Sequence, residues 1–301
     1  GHDGSTTTPT VLSSFTTNGI LYTVVLSAYF LSGNQVVTHV TVPSNFTTIP
    51  DHMFRNAPAL KTVDLQGSNI TIGENAFKSS GIESFNFDNI AAISQPFTFE
   101  YSPLQIVDLT NSLINLGGAV FYNTAVHTFK FSIHTNFVPG GACANCYSLT
   151  SVTIPDNVTK IETAAFQNCY ALPSIVLPPN LETIESSAFQ NNSNLTSITI
   201  PASVTSLGSN IWHGCNQLAL IVFERQTITN ANILSNTLAG IPANCVIRYN
   251  SIDYTVNEFL GQTIYYVYDG LQYSLNGDNT ATLTGHDGST TTPTVLSSFT
   301  T

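Results

Sequence analysis

The five cysteines are the residues whose types and spacing most readily suggest chemistry. Cys143 and Cys146 form a CxxC pair, an arrangement that binds zinc or exchanges disulfides in other proteins. A zinc site needs three or four converging ligands, and the sequence supplies neither a second CxxC pair nor a suitable pair of histidines. We therefore interpret the pair as structural and predict that the chain holds no metal ion and no cofactor.

Catalytic motifs are missing from the sequence as well. The seven histidines include no HExxH pair and are spread over positions 2, 39, 52, 127, 134, 213 and 286. No GxSxG segment surrounds a serine, and no GxGxxG or phosphate-binding loop is present. The sequence thus predicts a protein that is not an enzyme and has no catalytic residues.

The charge balance excludes several classes of partner. Only 8% of the residues are charged, and 7 Lys and Arg against 18 Asp and Glu give a net charge of −11. No basic surface is therefore expected for nucleic acid or anionic lipid. Hydrophobic residues, at 42%, are enough for a core, yet no run of about 18 apolar residues could insert into a membrane. The uncharged coat of Ser, Thr and Asn favours an extracellular or cell-surface location.

The two ends of the sequence repeat each other. Residues 1–17 and residues 285–301 both read GHDGSTTTPTVLSSFTT, and the offset between the two copies is 285 − 1 = 284. Chance does not produce an identity of this length, so we interpret the sequence as slightly more than one period of a tandem array. The alternative is a self-contained chain that carries the same strand at both ends. In the array, a signal peptide or anchor would lie outside this window.

A shorter repeat, with a period of about 23 residues, runs through the middle of the chain. Nine segments align on the pattern L-x-x-V/I-x-V/I, with other large apolar residues at some of its positions, and are led by Val37, Leu60, Ile82, Leu104, Val126, Leu149, Leu172, Leu195 and Leu218. A second anchor follows at a constant distance after each of the first eight, at Phe54, Phe77, Phe99, Phe121, Cys143, Phe166, Phe189 and Trp212. A short period of this kind predicts a solenoid, because one repeat cannot bury its apolar face alone.

The spacing within one repeat predicts its path. Leu149, Val152 and Ile154 place apolar side chains on one face of a short strand, and Pro155 ends the strand because it lacks an N–H donor. Phe166 follows on a short helical turn that closes the coil. Stacked coils would align these strands into a parallel sheet along one side of the solenoid.

These repeats resemble the BspA-like leucine-rich repeat family, whose coils have the form LxxIxIPxxVxxIxxxAFxxCxx. The resemblance covers about residues 37–250 and implies a mainly β fold: a leucine-rich-repeat solenoid with a parallel sheet and short helical turns. Two departures stand out. The coils from 60 to 125 lack the proline, and the coil 126–148 has Cys143 in place of the aromatic anchor. We expect deformed coils there.

The flanks of the solenoid resemble linking modules of the same family. We predict that residues 1–36 end a small antiparallel β linking or capping module, that 37–250 form the solenoid of about nine coils, and that 251–301 begin the next linking module. The dipeptides Asp269-Gly270 and Asn276-Gly277 favour tight hairpin turns, so three to five antiparallel strands are expected.

The outward positions of the predicted strands form the face on which repeat proteins commonly bind. Four neighbouring coils place a polar or charged residue between their last two apolar strand positions, namely Asp64, Asn86, Asp108 and Lys130. We treat these as candidate partner-facing residues for another protein or a neighbouring subunit. The alternative is a solvated sheet face.

The sequence alone does not decide two covalent modifications, a disulfide bond and N-glycosylation. Cys146 and Cys169 occupy the same position in neighbouring coils, which allows a disulfide between them or a ladder of buried reduced thiols. Five sequons make candidate N-glycosylation sites of Asn45, Asn69, Asn157, Asn191 and Asn194. They matter only if the source makes N-glycans.

Two functions of different classes are consistent with these features. The first is a structural subunit of an extracellular fibre or surface filament, with units joined head to tail at the period that separates the two identical segments. Its partners would be further copies of itself. The second, implied by the family resemblance, is a cell-surface adhesin that binds host or matrix proteins through the sheet face. Glycans are a further class of partner, whereas nucleic acid and membrane insertion within this window are not expected.

Overall fold

The computed structural model describes residues 29–224, 237–249 and 251–256, and the backbone of five further strands at 14–17, 20–23, 265–268, 271–275 and 281–286. The described residues form 22 strands and almost no helix. The strands are β1 (Ser14–Thr17), β2 (Ile20–Thr23), β3 (His39–Val42), β4 (Thr48–Ile49), β5 (Thr62–Leu65), β6 (Ile70–Ile72), β7 (Ile90–Ile93), β8 (Ile106–Asp108), β9 (Asn115–Leu116), β10 (Thr128–Lys130), β11 (Phe137–Val138), β12 (Ser151–Thr153), β13 (Lys160–Ile161), β14 (Thr183–Ile184), β15 (Ser197–Ile200), β16 (Ser206–Leu207), β17 (Leu220–Phe223), β18 (Val246–Tyr249), β19 (Ile252–Thr255), β20 (Tyr265–Tyr268), β21 (Leu271–Leu275) and β22 (Ala281–His286).

The coils contribute strands to two parallel sheets, and most coils contribute one strand to each. The front sheet contains the predicted strands, and in its middle Thr128 of β10 lies between Ile106 of β8 and Ser151 of β12. A second sheet uses the apolar positions near the middle of each coil, so that Ile161 of β13 lies opposite Ile184 of β14. The predicted solenoid with a parallel sheet is confirmed.

The third side of each coil consists of hydrogen-bonded turns. Their backbone N–H groups donate to the following coil, as when Phe77 donates to the carbonyl of Thr98 (2.9 Å) and Phe166 to that of Ala188 (2.9 Å). These donors are used between coils, so the short helical turns expected here do not form α-helix. In eight coils, two positions of this turn have a left-handed backbone conformation with positive φ. The first position is occupied by His52, Asn75, Phe97, Ala119, Gly141, Ala164, Ser187 and Asn210. The second position is occupied by Asn56, Ser79, Tyr101, Asn123, Asn145, Asn168, Asn191 and Gly214.

The core follows the two periodic anchors. All nine leading residues and all eight second anchors are buried. The phenyl rings of Phe54, Phe77, Phe99 and Phe121 stack in series, with centroids 5.1, 5.0 and 5.4 Å apart. Burying each large apolar side chain contributes about 1.5–3 kcal/mol. The continuous ring stack therefore connects the cores of neighbouring coils.

The coil with Cys143 is regular, which contradicts the expected deformation. Its strand β10 pairs in register with both neighbours, β8 and β12. The missing ring is replaced by two phenylalanines on or next to that strand. Phe129 lies 5.1 Å from Phe121, Phe131 lies 4.5 Å from Phe129, and the chain of rings reaches Phe166 at 6.2 Å. Side chains from the front-sheet side of the coil thus fill the core volume that the aromatic anchor fills in the other coils.

The coil led by Ile82 is deformed, as expected. Residues 84–87 form no strand, so the front sheet is interrupted between β5 and β8. A second interruption, which we did not expect, lies in the coil led by Leu172, where only an isolated bridge joins Ser174 to Ser197. Pro173 explains it, because the equivalent residue Thr150 donates its N–H to the preceding coil (2.9 Å to the carbonyl of His127) and a proline has no such donor.

The flanking strands are antiparallel. Strand β19 pairs antiparallel with β18 at the end of the solenoid, β1 pairs with β2, and β20, β21 and β22 form a three-stranded sheet. Tyr268 lies opposite Leu271, which places the dipeptide Asp269-Gly270 between paired strands. That dipeptide, Asn276-Gly277 and most of the two identical segments lie outside the described residues. The domain boundaries stay predictions.

Candidate functional site on the front sheet

The four candidate partner-facing residues lie on the outer side of the front sheet. Asp64 is exposed on β5, opposite Thr41 of β3. Asp108 of β8 and Lys130 of β10 are paired in register and face each other across neighbouring coils. Asn86 lies between these groups, in the segment that has lost its strand. The row of four candidate residues therefore crosses the first interruption of the front sheet.

A depression of about 620 Å³ lies over this interruption. We call it the gap depression. Three of the four candidate residues line it, together with residues that the sequence did not single out: Ser84, Phe85, Asp88, Ile106, Thr110 and Asn111. Asp64 is not among its lining residues. The depression exists because residues 84–87 do not continue the sheet at the level of β5 and β8.

The carboxylate of Asp108 is held by three donors. The ammonium of Lys130 donates to Oδ2 (2.8 Å), while the backbone N–H (3.1 Å) and hydroxyl (2.6 Å) of Thr110 donate to Oδ1. The hydrogen bond from Lys130 is the main reason that the pKa of Asp108 falls from 3.8 to about 2. Asp108 is therefore an ionised acceptor with a fixed orientation at neutral pH.

The polar groups on the other side of the gap depression have fewer partners. The side-chain oxygen of Asn86 accepts a hydrogen bond from the backbone N–H of Asp88 (2.9 Å), which closes an Asx turn. Within the described residues, the carboxylate of Asp88 and the amide of Asn111 form no hydrogen bond. Both are exposed. Asp88 and Thr110 each follow a candidate residue by two positions, so the Asx-turn pattern was the signal that could have predicted them.

The ion pair of Asp108 with Lys130 gives a pH-dependent prediction. A lowered pKa stabilises the folded state above the unfolded value of about 3.9, and this contribution is lost as the pH falls from about 4 toward 2. Both side chains are nearly half exposed, so the contribution should stay below about 1 kcal/mol. An NMR titration of the Asp108 carboxyl should give a pKa of about 2 that rises toward 3.8 in Lys130→Met. An unchanged pKa in the variant would contradict this geometry.

Comparison with known proteins identifies the family. The family model for the BspA type leucine rich repeat region matches residues 25–146 and 136–252, with six copies of the repeat. This chain belongs to the BspA-type leucine-rich repeat family. The match extends over the whole solenoid and agrees with the stacked coils of the structure. No curated protein matches the chain.

Solved structures of bacterial leucine-rich repeat proteins are similar at low identity. A leucine-rich repeat protein from Bacteroides ovatus is 18% identical, with 71% of this chain and 86% of that one covered and a TM-score of 0.38. A leucine rich cell surface protein from Faecalibacterium prausnitzii is 20% identical over 92% of this chain and 54% of its own, with a TM-score of 0.37. This chain thus spans about half of that protein. The pneumococcal vaccine antigen PcpA is 18% identical, with 71% of each chain covered and a TM-score of 0.37.

The cysteines of the BspA-type coils are buried free thiols. Cys146, Cys169 and Cys215 each donate to a carbonyl of an earlier coil, at 3.2, 3.1 and 3.1 Å. The thiols of Cys146 and Cys169 are unbonded in this structure, so we predict the reduced ladder rather than the disulfide between them. Burial raises the pKa of the thiols of Cys143 and Cys169, and that of Cys215 to about 12, so none of these three is a thiolate nucleophile at neutral pH. In the described part of the chain, no three His, Cys, Asp or Glu residues group as metal ligands.

A thiol count tests the reduced ladder. Ellman's reagent should react with none of the five cysteines in the folded protein, because all five are buried. In guanidinium without reductant, all five should react. A count of three under those conditions would show that one disulfide is present and would contradict the ladder.

The five sequons differ in accessibility. Asn45, Asn69 and Asn194 are exposed. Asn157 is also exposed, although its amide donates to the carbonyl of Thr135 (2.8 Å). The side chain of Asn191 is part of a ladder in which its Nδ2 donates to Oδ1 of Asn168 (2.8 Å). A glycan on that nitrogen would have to break the ladder.

Glycosylation in a host that makes N-glycans should follow this difference. We expect glycans on Asn45 and Asn69 and an unmodified Asn191, as measured by mass spectrometry of glycopeptides. Asn194 is the internal control, because it lies close to Asn191 in the sequence and is exposed. Full occupancy of Asn191 with unchanged thermal stability would contradict a structural role for the asparagine ladder.

The described residues contain no helix that is long and apolar enough to span a membrane.

Proposed function

We propose that the chain is one repeating unit of a structural protein outside the cell or on its surface, in which units follow one another head to tail at the interval between the two identical segments. The identity of residues 1–17 with residues 285–301 is the observation that carries this proposal. A BspA-type solenoid suits the role, because stacked coils form a stiff, elongated unit from local contacts alone.

The order of the flanking strands supports the proposal. Strand β22 ends at His286, the second residue of the second copy, and β1 contains the last four residues of the first copy. In an array, the sheet of β20, β21 and β22 would therefore be followed in sequence by the β1 and β2 strands of the next unit. Those strands would link one solenoid to the next.

Two kinds of junction would produce this order. One polypeptide can run through many units, or separate subunits can donate a strand across the junction. Either contact is head to tail, and such a contact yields a filament when its rotation does not close into a ring. The identical segments favour the continuous polypeptide.

The uncharged polar surface fits this location and role. Front-sheet positions that face outward include Thr41, Thr153 and Thr199, which are neither charged nor aromatic. Such a face suits packing against neighbouring material or carrying glycans. A scaffold of this kind binds or supports other molecules.

Electron microscopy of the native material tests the proposal. Nine coils at about 4.8 Å each contribute about 40 Å, so regular filaments should have an axial repeat of that length plus the linking module. Isolated particles of one unit, in all preparations, would contradict the array. They would favour the alternative of an adhesin that binds host or matrix proteins.

A further inference from the structure

We propose that the gap depression is a binding site for a neutral saccharide. It lies where the front sheet is interrupted, between strands β5 and β8, and its volume of about 620 Å³ is within the range of small-molecule sites. The proposal is independent of whether the units form an array.

The polar groups of the depression are both acceptors and donors. The carboxylates of Asp88 and Asp108 accept hydrogen bonds, while the amides of Asn86 and Asn111 can also donate. A sugar hydroxyl donates one hydrogen bond and accepts others, so it needs both kinds of partner side by side. The unpaired amide of Asn111 and carboxylate of Asp88 offer such partners without breaking a contact within the described residues.

One of these acceptors is already oriented. Thr110 and Lys130 hold the carboxylate of Asp108 with three hydrogen bonds. Binding of a ligand to this carboxylate therefore costs little conformational entropy of the Asp108 side chain. The ammonium of Lys130 is also nearly half exposed and keeps donor capacity for a hydroxyl.

An apolar surface adjoins the polar groups. Ile106 is 59% exposed although it lies on a sheet strand, and the ring of Phe85 is only partly buried. A pyranose ring has one face of C–H groups, which packs on such a surface while its hydroxyls reach the polar rim. A wholly apolar ligand would instead leave the carboxylates and amides desolvated without partners.

The charges disfavour ionic ligands. Two carboxylates against one ammonium give the depression a charge of −1, which repels phosphate, sulfate or uronate groups. Asp108 is already neutralised by Lys130 at 2.8 Å. A cationic ligand would therefore find Asp88 as the one carboxylate of the lining without an ion-pair partner among the described residues, and a single exposed carboxylate holds a cation weakly. A neutral polyhydroxylated ligand is the class that matches every lining group.

The second interruption of the front sheet supplies a matched control. The depression there has a volume of about 360 Å³ and is lined by Ile175, Val176, Leu177 and Pro179, with Glu224 as its charged residue. It arises from a lost strand as well, yet lacks the pairing of amides with carboxylates. A substitution in it should not affect saccharide binding.

An array of neutral and acidic oligosaccharides, followed by saturation-transfer NMR on the best neutral binder, tests the proposal on the full chain. We expect binding of at least one neutral oligosaccharide that weakens at least tenfold in the double variant Asp88→Ala/Asn111→Ala. Val176→Ser should bind like the unchanged protein. Both substituted side chains of the double variant are exposed and unpaired within the described residues, and circular dichroism verifies that it folds.

Three results would overturn the assignment. They are binding of no neutral oligosaccharide, preferential binding of the acidic ones, and binding that the double variant leaves unchanged.

Discussion

A Phe77→Ala variant is expected to lose about 3–5 kcal/mol of folding free energy. The ring of Phe77 is fully buried and contacts three others, with centroids 5.1 Å from Phe54, 5.0 Å from Phe99 and 5.2 Å from Phe85. Removing it creates a cavity in the middle of the ring stack. Because solenoid stability depends on contacts between neighbouring coils, the loss should weaken the coils on both sides.

Chemical denaturation measures the effect of Phe77→Ala. Its control is Val176→Ala, since Val176 is 83% exposed and its truncation should change the stability by no more than about 0.5 kcal/mol. Equal stabilities of the two variants would contradict the view that stacked rings join the coils.

The effects of Cys143→Phe and Phe131→Val on the free energy of unfolding should be strongly coupled. Cys143→Phe restores the aromatic anchor of the repeat, but Phe129 and Phe131 already fill this part of the core. The single variant should therefore lose about 1–3 kcal/mol through overpacking. Phe131→Val alone removes a buried ring and should also destabilise the protein.

The double variant should be more stable than the sum of the single effects by about 1–3 kcal/mol, because the new ring at position 143 takes the volume released at 131. A double-mutant cycle from denaturation curves gives this coupling free energy. Additive effects would show that the two positions do not share core volume.

The repeating core could be predicted from the sequence because buried apolar residues recur at fixed positions in successive coils. All nine coils bury their leading position and the first eight also bury the second anchor position, so a residue such as Leu149 or Phe166 is defined by its register. Cys143 is the informative exception. The register indicated a deformed coil, but the compensating Phe131 lies on another segment of the coil, and only the packing shows that it fills the space.

The departures from regularity were harder to predict. Pro173 removes one N–H from the front sheet, and a single proline before a strand did not indicate that the strand itself would be lost. The left-handed residues at the first turn position are of many types, including His52 and Phe97, so residue type did not mark that position. At the second position five of the eight are Asn and one is Gly, residues that favour positive φ, and this was a usable signal. Their conformation follows from backbone hydrogen bonds to the next coil.

The candidate site was predicted only in part. The outward register placed Asn86, Asp108 and Lys130 on one face, and the structure brings them together in one depression. Asp64 was grouped with them, but the depression does not include it. The concavity itself could not be predicted, because it depends on the strand that residues 84–87 fail to form.

The intact mass of the denatured native protein tests the central claim most directly. If the identical segments mark the junction of covalently joined units, the mass should be several times that of one repeating unit. A single chain near 32.3 kDa would contradict the covalent array.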